Sequence, residues 1–132
     1  MFAAMNGERT LTELDFSRLM LRGGQLPAEL ERSFDFPHLV ASRDIPADVI
    51  TMYSQVEILD PRSGRKQKLT ICYPCDAEPN LGFISVLSPV GASLLGLKLG
   101  AIARWRAPNG DECTAEVTAL LFQPEASGDY TT

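Results

Sequence analysis

Residues 45–59, IPADVITMYSQVEIL, mark the point at which the chain changes its periodicity. From Met52 to Ile58 apolar and polar residues alternate, which is typical of a strand with one buried face. Before this stretch leucines recur at helical spacing, and the Ile45-Pro46 step is unfavourable for continuing a helix. The sequence therefore predicts a helical part, residues 1–44, followed by a sheet domain, residues 45–132.

Four more strands are predicted downstream, over residues 68–73, 83–87, 102–106 and 113–122. Turn residues at 60–64 and 108–111 join neighbouring strands as hairpins. Between the third and fourth strands, Ser88 is placed to cap a helix of about two turns, with Pro89 as its first residue and Gly96 as its stop. The predicted fold class is α+β, an antiparallel sheet around one short helix, preceded by a helical hairpin.

The N-terminal part has the pattern of two short helices. The first carries Leu11, Leu14 and Leu21 at helical spacing, with Thr10 or Thr12 as its cap. The second begins at Pro27 and ends before Pro37, and both Leu30 and Phe34 lie on one of its faces. A hairpin with so thin an apolar seam is marginal without packing, so its leucines can also bury against the sheet domain. We expect residues 45–132 to fold alone.

Composition excludes several classes of function. The chain has 12 basic and 17 acidic residues and a net charge of −5, so it lacks the positive surface that direct binding to nucleic acid requires. We interpret its one basic cluster as a solvated hairpin tip. The cluster consists of Arg62, Arg65, Lys66 and Lys68. No signal peptide or membrane-spanning run is evident, and three cysteines fit a reducing compartment, which predicts a cytoplasmic protein.

The residues that most invite a chemical role are Cys72 and Cys75, in the order Cys-Tyr-Pro-Cys. They end a strand instead of beginning a helix, which argues against a reactive thiol. Zinc needs two further ligands, and only Cys113 and His38 remain, on distant segments. With a lone histidine and no glycine-rich phosphate loop, the sequence predicts no metal, no cofactor and no enzyme.

Four motifs resemble one known family. Residues 45–54 are similar to the IPxDVVTMNS segment that begins the C-terminal domain of the bacterial Gre transcription elongation factors, GreA and GreB. Residues 85–96, SVLSPVGASLLG, resemble the SxxSPxGxALLG segment of the same domain. Residues 120–130 and the Tyr73-Pro74 step are similar to the Gre-like regulators of nucleoside diphosphate kinase (Rnk). Together the motifs cover about residues 45–130 in the family's order.

The resemblance implies an FKBP-like fold for residues 45–132, without prolyl isomerase activity. It also implies one partner, RNA polymerase, bound at the rim of its secondary channel, and no sequence-specific contact with nucleic acid or with membranes. The residues expected to contact the polymerase are Leu87, Ser88, Pro89, Gly91 and Ala92. A helix cap explains Ser88 and Pro89 equally well, and capping and contact can coexist.

The chain departs from the family at the predicted hairpin tip. Gre factors carry acidic residues there, which help to hold a catalytic magnesium ion, whereas this tip consists of Arg22, Gly23, Gly24 and Gln25. Magnesium prefers carboxylate oxygens, so stimulation of transcript cleavage is not expected. The sequence predicts a polymerase-binding accessory factor. The first alternative is a stand-alone interaction or homodimerisation module that does not bind the polymerase. The second is a cysteine-dependent redox or metal sensor.

Overall fold

A computed structural model describes residues 9–20 and 38–129 of the chain. The second predicted helix and the tip residues Arg22, Gly23, Gly24 and Gln25 lie outside these described residues. The helices and strands, in chain order, are β1 (Thr10–Thr12), α1 (Glu13–Met20), β2 (His38–Val40), β3 (Gln55–Leu59), β4 (Lys66–Cys72), β5 (Phe83–Ser85), α2 (Pro89–Leu94), β6 (Ile102–Arg106) and β7 (Glu112–Phe122).

The main sheet has five strands in the order β5-β4-β3-β7-β6. The β3–β4, β3–β7 and β6–β7 pairs are antiparallel, so the two predicted hairpins are confirmed. β5, however, runs parallel to β4, and the prediction of an antiparallel sheet is wrong at this edge. The reason lies in the connection between the two strands, which contains two 3₁₀ turns, Pro74–Asp76 and Pro79–Leu81. This length of chain turns back along β4 as far as Thr70, beside which β5 begins at Phe83.

The sheet curls because β7 pairs with β3 through two β-bulges. The register moves from Gln55 opposite Phe122 to Val56 opposite Leu120, which leaves Leu121 as an extra residue. A second shift follows between Glu57 and Ile58. Since each bulge bends its strand and increases the local twist, the sheet is curled, and α2 packs against its two edge strands, β5 and β6.

The core lies between this concave face, α2 and the N-terminal segment. α2 contributes Leu94, which is fully buried, and Leu95 and Leu97 follow it into the core. Trp105 packs against the core from β6 while remaining partly exposed. The strands contribute the following buried side chains: Val56, Ile58, Leu69, Ile71, Ala103, Ala115 and Val117.

The first predicted helix begins at Glu13, and Thr12 is its cap, with Oγ1 accepting a hydrogen bond of 3.0 Å from the backbone N–H of Asp15. The three residues before it form β1, which pairs in parallel with β2. Neither strand was expected. The backbone N–H of Thr10 also donates to the carbonyl of Gly96, at 3.1 Å, which ties β1 to the chain that follows α2.

Two leucines of the N-terminal part belong to the core of the sheet domain. Leu11 is 1% exposed and Leu19 is 0% exposed, and both join the cluster formed by the strands and α2. Leu11, which was predicted in the hairpin seam, therefore follows the alternative in which the seam buries against the sheet, whereas Leu19 was not part of the predicted seam. The fragment of residues 45–132 lacks both leucines, and it is expected to be less stable than the whole chain.

We expect Leu19→Ala to lower the free energy of unfolding by about 2–5 kcal/mol, since it leaves a cavity in a packed core. Met20→Ala is the matched control, because Met20 is the next residue of α1 and is 51% exposed. Its effect should stay within about 0.5 kcal/mol. Urea unfolding of the two variants gives the comparison, and equal losses would contradict the packing of α1 against the sheet.

Candidate functional site

Three segments of the chain meet at one end of the main sheet, where β4 and β5 finish and β3 begins. β4 and β5 are parallel, and Cys72 pairs with Ser85 at their carboxyl ends, so the residues that follow leave the sheet side by side. β3 is antiparallel to β4, so the residues before β3 lie at the same edge; the backbone N–H of Tyr53 donates to the carbonyl of Ile71 at 2.6 Å. This end of the sheet, at the carboxyl ends of β4 and β5, is called the sheet edge below, and it consists of residues 52–54, 73–76 and 86–89.

The turn between β5 and α2 is held by local hydrogen bonds. Ser88 is the N-cap of α2, and its Oγ accepts a bond of 3.1 Å from the N–H of Gly91. The same hydroxyl donates to the carbonyl of Ser85 at 2.7 Å, and the N–H of Leu87 donates to Oγ of Ser85 at 3.0 Å. The predicted cap is thus confirmed. The result is a hydrogen-bonded turn with Pro89 exposed at its outer end.

Gly91 allows α2 to approach the turn closely. A Cβ atom at this position would lie 2.2 Å from the carbonyl oxygen of Ser85, so no larger residue fits without movement of the backbone. Gly91 and Ala92 are both buried, whereas Leu87 and Ser88 are partly exposed. Of the five residues predicted to contact a partner, the first three are accessible, and the other two can act only by positioning them.

Tyr53 is the feature of this edge that the sequence analysis missed. It is the one non-glycine residue with a positive φ, +66°, among residues 9–20 and 38–129. Its ring lies 5.9 Å from that of Tyr73, centroid to centroid, and its hydroxyl donates to a carboxylate oxygen of Asp76. Burial, and then the bond to Asp76, raise the pKa of Tyr53 well above its ordinary value. The available signal was the tyrosine itself, which stands where the family motif has asparagine.

The cysteines lie in different environments. Cys72 is buried, with Sγ 3.6 Å from the carbonyl oxygen of Ile84, whereas Cys75 is exposed and Cys113 is half-buried. Burial, followed by the charge of Asp76, raises the pKa of the Cys72 thiol, which disfavours the reactive thiolate. Across the described part of the chain, no three His, Cys, Asp or Glu side chains are grouped to hold a metal ion.

Two carboxylates are buried beneath the sheet edge. Asp15 is 1% exposed, and its Oδ2 accepts a hydrogen bond of 3.2 Å from the N–H of Met52. Its Oδ1 has no hydrogen-bond partner among the described residues. Glu125 is 6% exposed, and its Oε1 accepts a bond of 2.7 Å from the hydroxyl of Thr51. Burial, with a smaller contribution from the charge of Glu125, raises the pKa of Asp15 from 3.8 to about 6.

The remaining residues that the sequence singled out lie away from this edge. The basic cluster occupies the exposed β3–β4 turn and its flank, and Nζ of Lys66 lies 3.9 Å from Oε1 of Glu57. His38 is exposed in β2. None of the helices in the described ranges is both long and apolar enough to cross a membrane.

More than half of the chain matches the model of a known protein family. A family model described as the C-terminal domain of the transcription elongation factors GreA and GreB matches residues 45–121. The match begins at the Ile45-Pro46 step and ends in β7, so it contains the whole sheet edge described above.

Relatives are similar over a longer stretch. The regulator of nucleoside diphosphate kinase from Escherichia coli (strain K12) is 38% identical over 105 residues, which make up 80% of this chain and 74% of that protein. The elongation factor GreA of Flavobacterium johnsoniae is 32% identical over 83 residues, 63% of this chain and 52% of its own. A solved structure of a GreA/GreB elongation factor from Nitrosomonas europaea has a TM-score of 0.70 and 30% identity, covering 87% of this chain and 98% of that one.

Asp15→Asn tests the buried carboxyl. Because the pKa of Asp15 is raised to about 6 in the fold, its contribution to stability is complete below about pH 4 and is lost as the pH rises through about 6. An asparagine mimics the neutral acid and keeps the acceptor for Met52. We expect the variant to be more stable than the parent by roughly 1–3 kcal/mol at about pH 8, and equal to it at about pH 4.

Urea unfolding at both pH values measures this difference. Asp48→Asn is the control, because Asp48 is exposed and the change removes the same charge. A loss of stability for Asp15→Asn at the higher pH would show that the fold favours the charged carboxylate.

Proposed function

Because the chain belongs to the GreA/GreB family of transcription elongation factors, we propose that it is an accessory factor that binds bacterial RNA polymerase. In this proposal it docks at the rim of the polymerase secondary channel and modulates transcription in the cytoplasm. It has no catalytic activity of its own.

The turn formed by Leu87, Ser88 and Pro89 is the observation that carries the proposal. It lies in the segment that matches the family, and its hydrogen bonds to Ser85 and the close packing of Gly91 support its shape in the absence of a partner. A preorganised turn loses little conformational entropy on docking, which favours affinity. The exposed Pro89 and the partly exposed Leu87 offer an apolar contact at its outer end.

The proposed domain organisation follows from the same family. Residues 45–132 form the docking domain, for which we propose the FKBP-like description, and residues 1–44 form the shorter N-terminal part. Some of that part is built into the docking domain, since Leu11 and Leu19 lie in its core. The N-terminal part therefore has a structural contribution whether or not it also touches the polymerase.

Transcript cleavage is outside the proposed function. The stretch Arg22-Gly23-Gly24-Gln25 offers no side-chain carboxylate, and magnesium is held in proteins mainly by carboxylate oxygens and water. A factor with such a tip can occupy the channel entrance, or compete for it, without supplying a ligand to the polymerase active site.

We expect the purified protein to bind core RNA polymerase and GreA to compete with it. Pro89→Ala should weaken binding by at least about tenfold, or ~1.4 kcal/mol, because it removes an exposed apolar contact. Its effect on folding should be small, since alanine is accepted at the first position of a helix. Pro108→Ala, in the exposed β6–β7 turn, is the matched control.

Fluorescence anisotropy of the labelled parent and of each proline variant, titrated with core polymerase, gives the affinities to be compared. Absence of binding at about 10 μM, where a contact of about −7 kcal/mol is still detectable, would reject the proposed function. Equal binding by the two proline variants would place the contact elsewhere on the chain.

We expect no stimulation of nascent-transcript cleavage in backtracked elongation complexes, because the tip carries no carboxylate. The measurement compares the cleavage rate with and without saturating protein, with GreB as the positive control. Cleavage faster than the intrinsic rate would show that carboxylates from another part of the chain reach the active site.

A further inference from the structure

Tyr53 has a backbone conformation that its residue type disfavours. A positive φ of +66° is tolerated by glycine and asparagine, whereas a bulky side chain there is a true outlier. The family motif has asparagine at this position, so the backbone itself does not require a tyrosine. Residues held in such conformations are concentrated at binding sites, and the side chain of Tyr53 is therefore a candidate for contact with a partner.

The side chain of Tyr53 is held at the sheet edge from two sides. Its ring packs against that of Tyr73 at a tilt of 55°, and its hydroxyl donates to Oδ2 of Asp76. Asp76 is exposed, and its N–H donates to the carbonyl of Tyr73 at 3.0 Å, which closes the 3₁₀ turn Pro74–Asp76. Oδ1 of Asp76 makes no hydrogen bond to any residue in the described ranges, so it is available to a partner.

The stretch of chain that carries Asp76 and the Leu87–Pro89 turn is acidic. From residue 69 to residue 97 the chain contains no lysine and no arginine, and its only charged residues are Asp76 and Glu78. Asp76 and Glu78 are both exposed, and Arg9 is bonded through Nη1 to the carbonyl oxygens of Ala92 and Leu95. Residues 73–89 therefore present aromatic, apolar and acidic side chains. Such a surface is complementary to a basic side chain, and arginine fits it best, because its planar guanidinium both pairs with a carboxylate and stacks on an aromatic ring.

Resting on the proposed docking to RNA polymerase, we propose that Tyr53 and Asp76 form a specificity pair that receives an arginine of the polymerase beside the Leu87–Pro89 contact. The hydroxyl of Tyr53 orients the carboxylate of Asp76, and the ring of Tyr53 supplies a face for the guanidinium. A relative with asparagine at the position of Tyr53 lacks that face, so the pair distinguishes this chain from other factors that share the docking turn.

The experiment measures affinity for core RNA polymerase by competition, at about 50 mM and about 200 mM salt, for the parent and three variants. Asp76→Asn removes the charge and should weaken binding about tenfold at the lower salt, with a smaller difference at the higher salt. Tyr53→Phe keeps the ring and removes the hydroxyl, and should weaken binding about threefold. The control is Asp111→Asn, because Asp111 is also an exposed carboxylate that accepts one side-chain hydrogen bond, from Asn109, and should bind like the parent.

The outcomes separate the two proposals. If the parent protein binds polymerase and both Asp76→Asn and Tyr53→Phe bind as Asp111→Asn does, the specificity pair is overturned while the docking stands. If the parent protein itself does not bind, the proposed function fails and the pair fails with it. Circular dichroism checks that each variant folds. If Tyr53→Phe does not fold, Tyr53→Asn replaces it, because asparagine suits this backbone; parent-like binding by that variant would overturn the pair.

Discussion

The chain from Val49 to Ser54 is buried, apart from the half-buried Tyr53, yet it forms neither a helix nor a regular strand. Buried backbone groups that lack partners are costly, so each of them has to be satisfied by another part of the molecule. Ile50 exchanges hydrogen bonds with the chain that follows α2, Met52 donates to a carboxylate of α1, and Tyr53 donates to β4. One irregular segment thereby fixes the relative positions of three elements, and the rest of the structure depends on it.

The partners of this segment explain why buried acids lie below the sheet edge. The hydroxyls of Thr51 and Ser54 are hydrogen-bonded to each other at 2.9 Å, and the hydroxyl of Thr51 also donates to the carboxylate of Glu125. Gln123 donates to the carbonyl of Val49 at 2.7 Å, so the chain after β7 closes over the same segment. A charged carboxylate is costly in such a place, and burial accordingly raises the pKa of Asp15. The support beneath the sheet edge is therefore partly polar, and its stability is expected to depend on pH.

The same arrangement separates the parts of the proposed function. The proposed docking surface lies where three segments leave one sheet edge, within the portion that matches the GreA/GreB family model. The N-terminal part, in which family members carry their cleavage chemistry, here lacks carboxylates between residues 22 and 26 and contributes Leu11 and Leu19 to the core. In the function that we propose, docking is retained and catalytic assistance is not. In this proposal, affinity for the polymerase and effect on its chemistry rest on different stretches of sequence.

The sequence by itself determined what depends on neighbouring residues. Alternation of apolar and polar residues located β3, β4, β6 and β7, and Ser88 followed by Pro89 located the start of α2, because strand periodicity and helix capping act over a few residues. Only the tertiary structure decided the parallel direction of β5 and the β1–β2 pair, since the partner of a strand is chosen by contacts between residues distant in the chain. The burial of Asp15 and the pairing of Tyr53 with Asp76 were decided in the same way. An isolated stretch of sequence shows that a residue is polar or bulky, but which groups surround it is settled only when distant segments pack together.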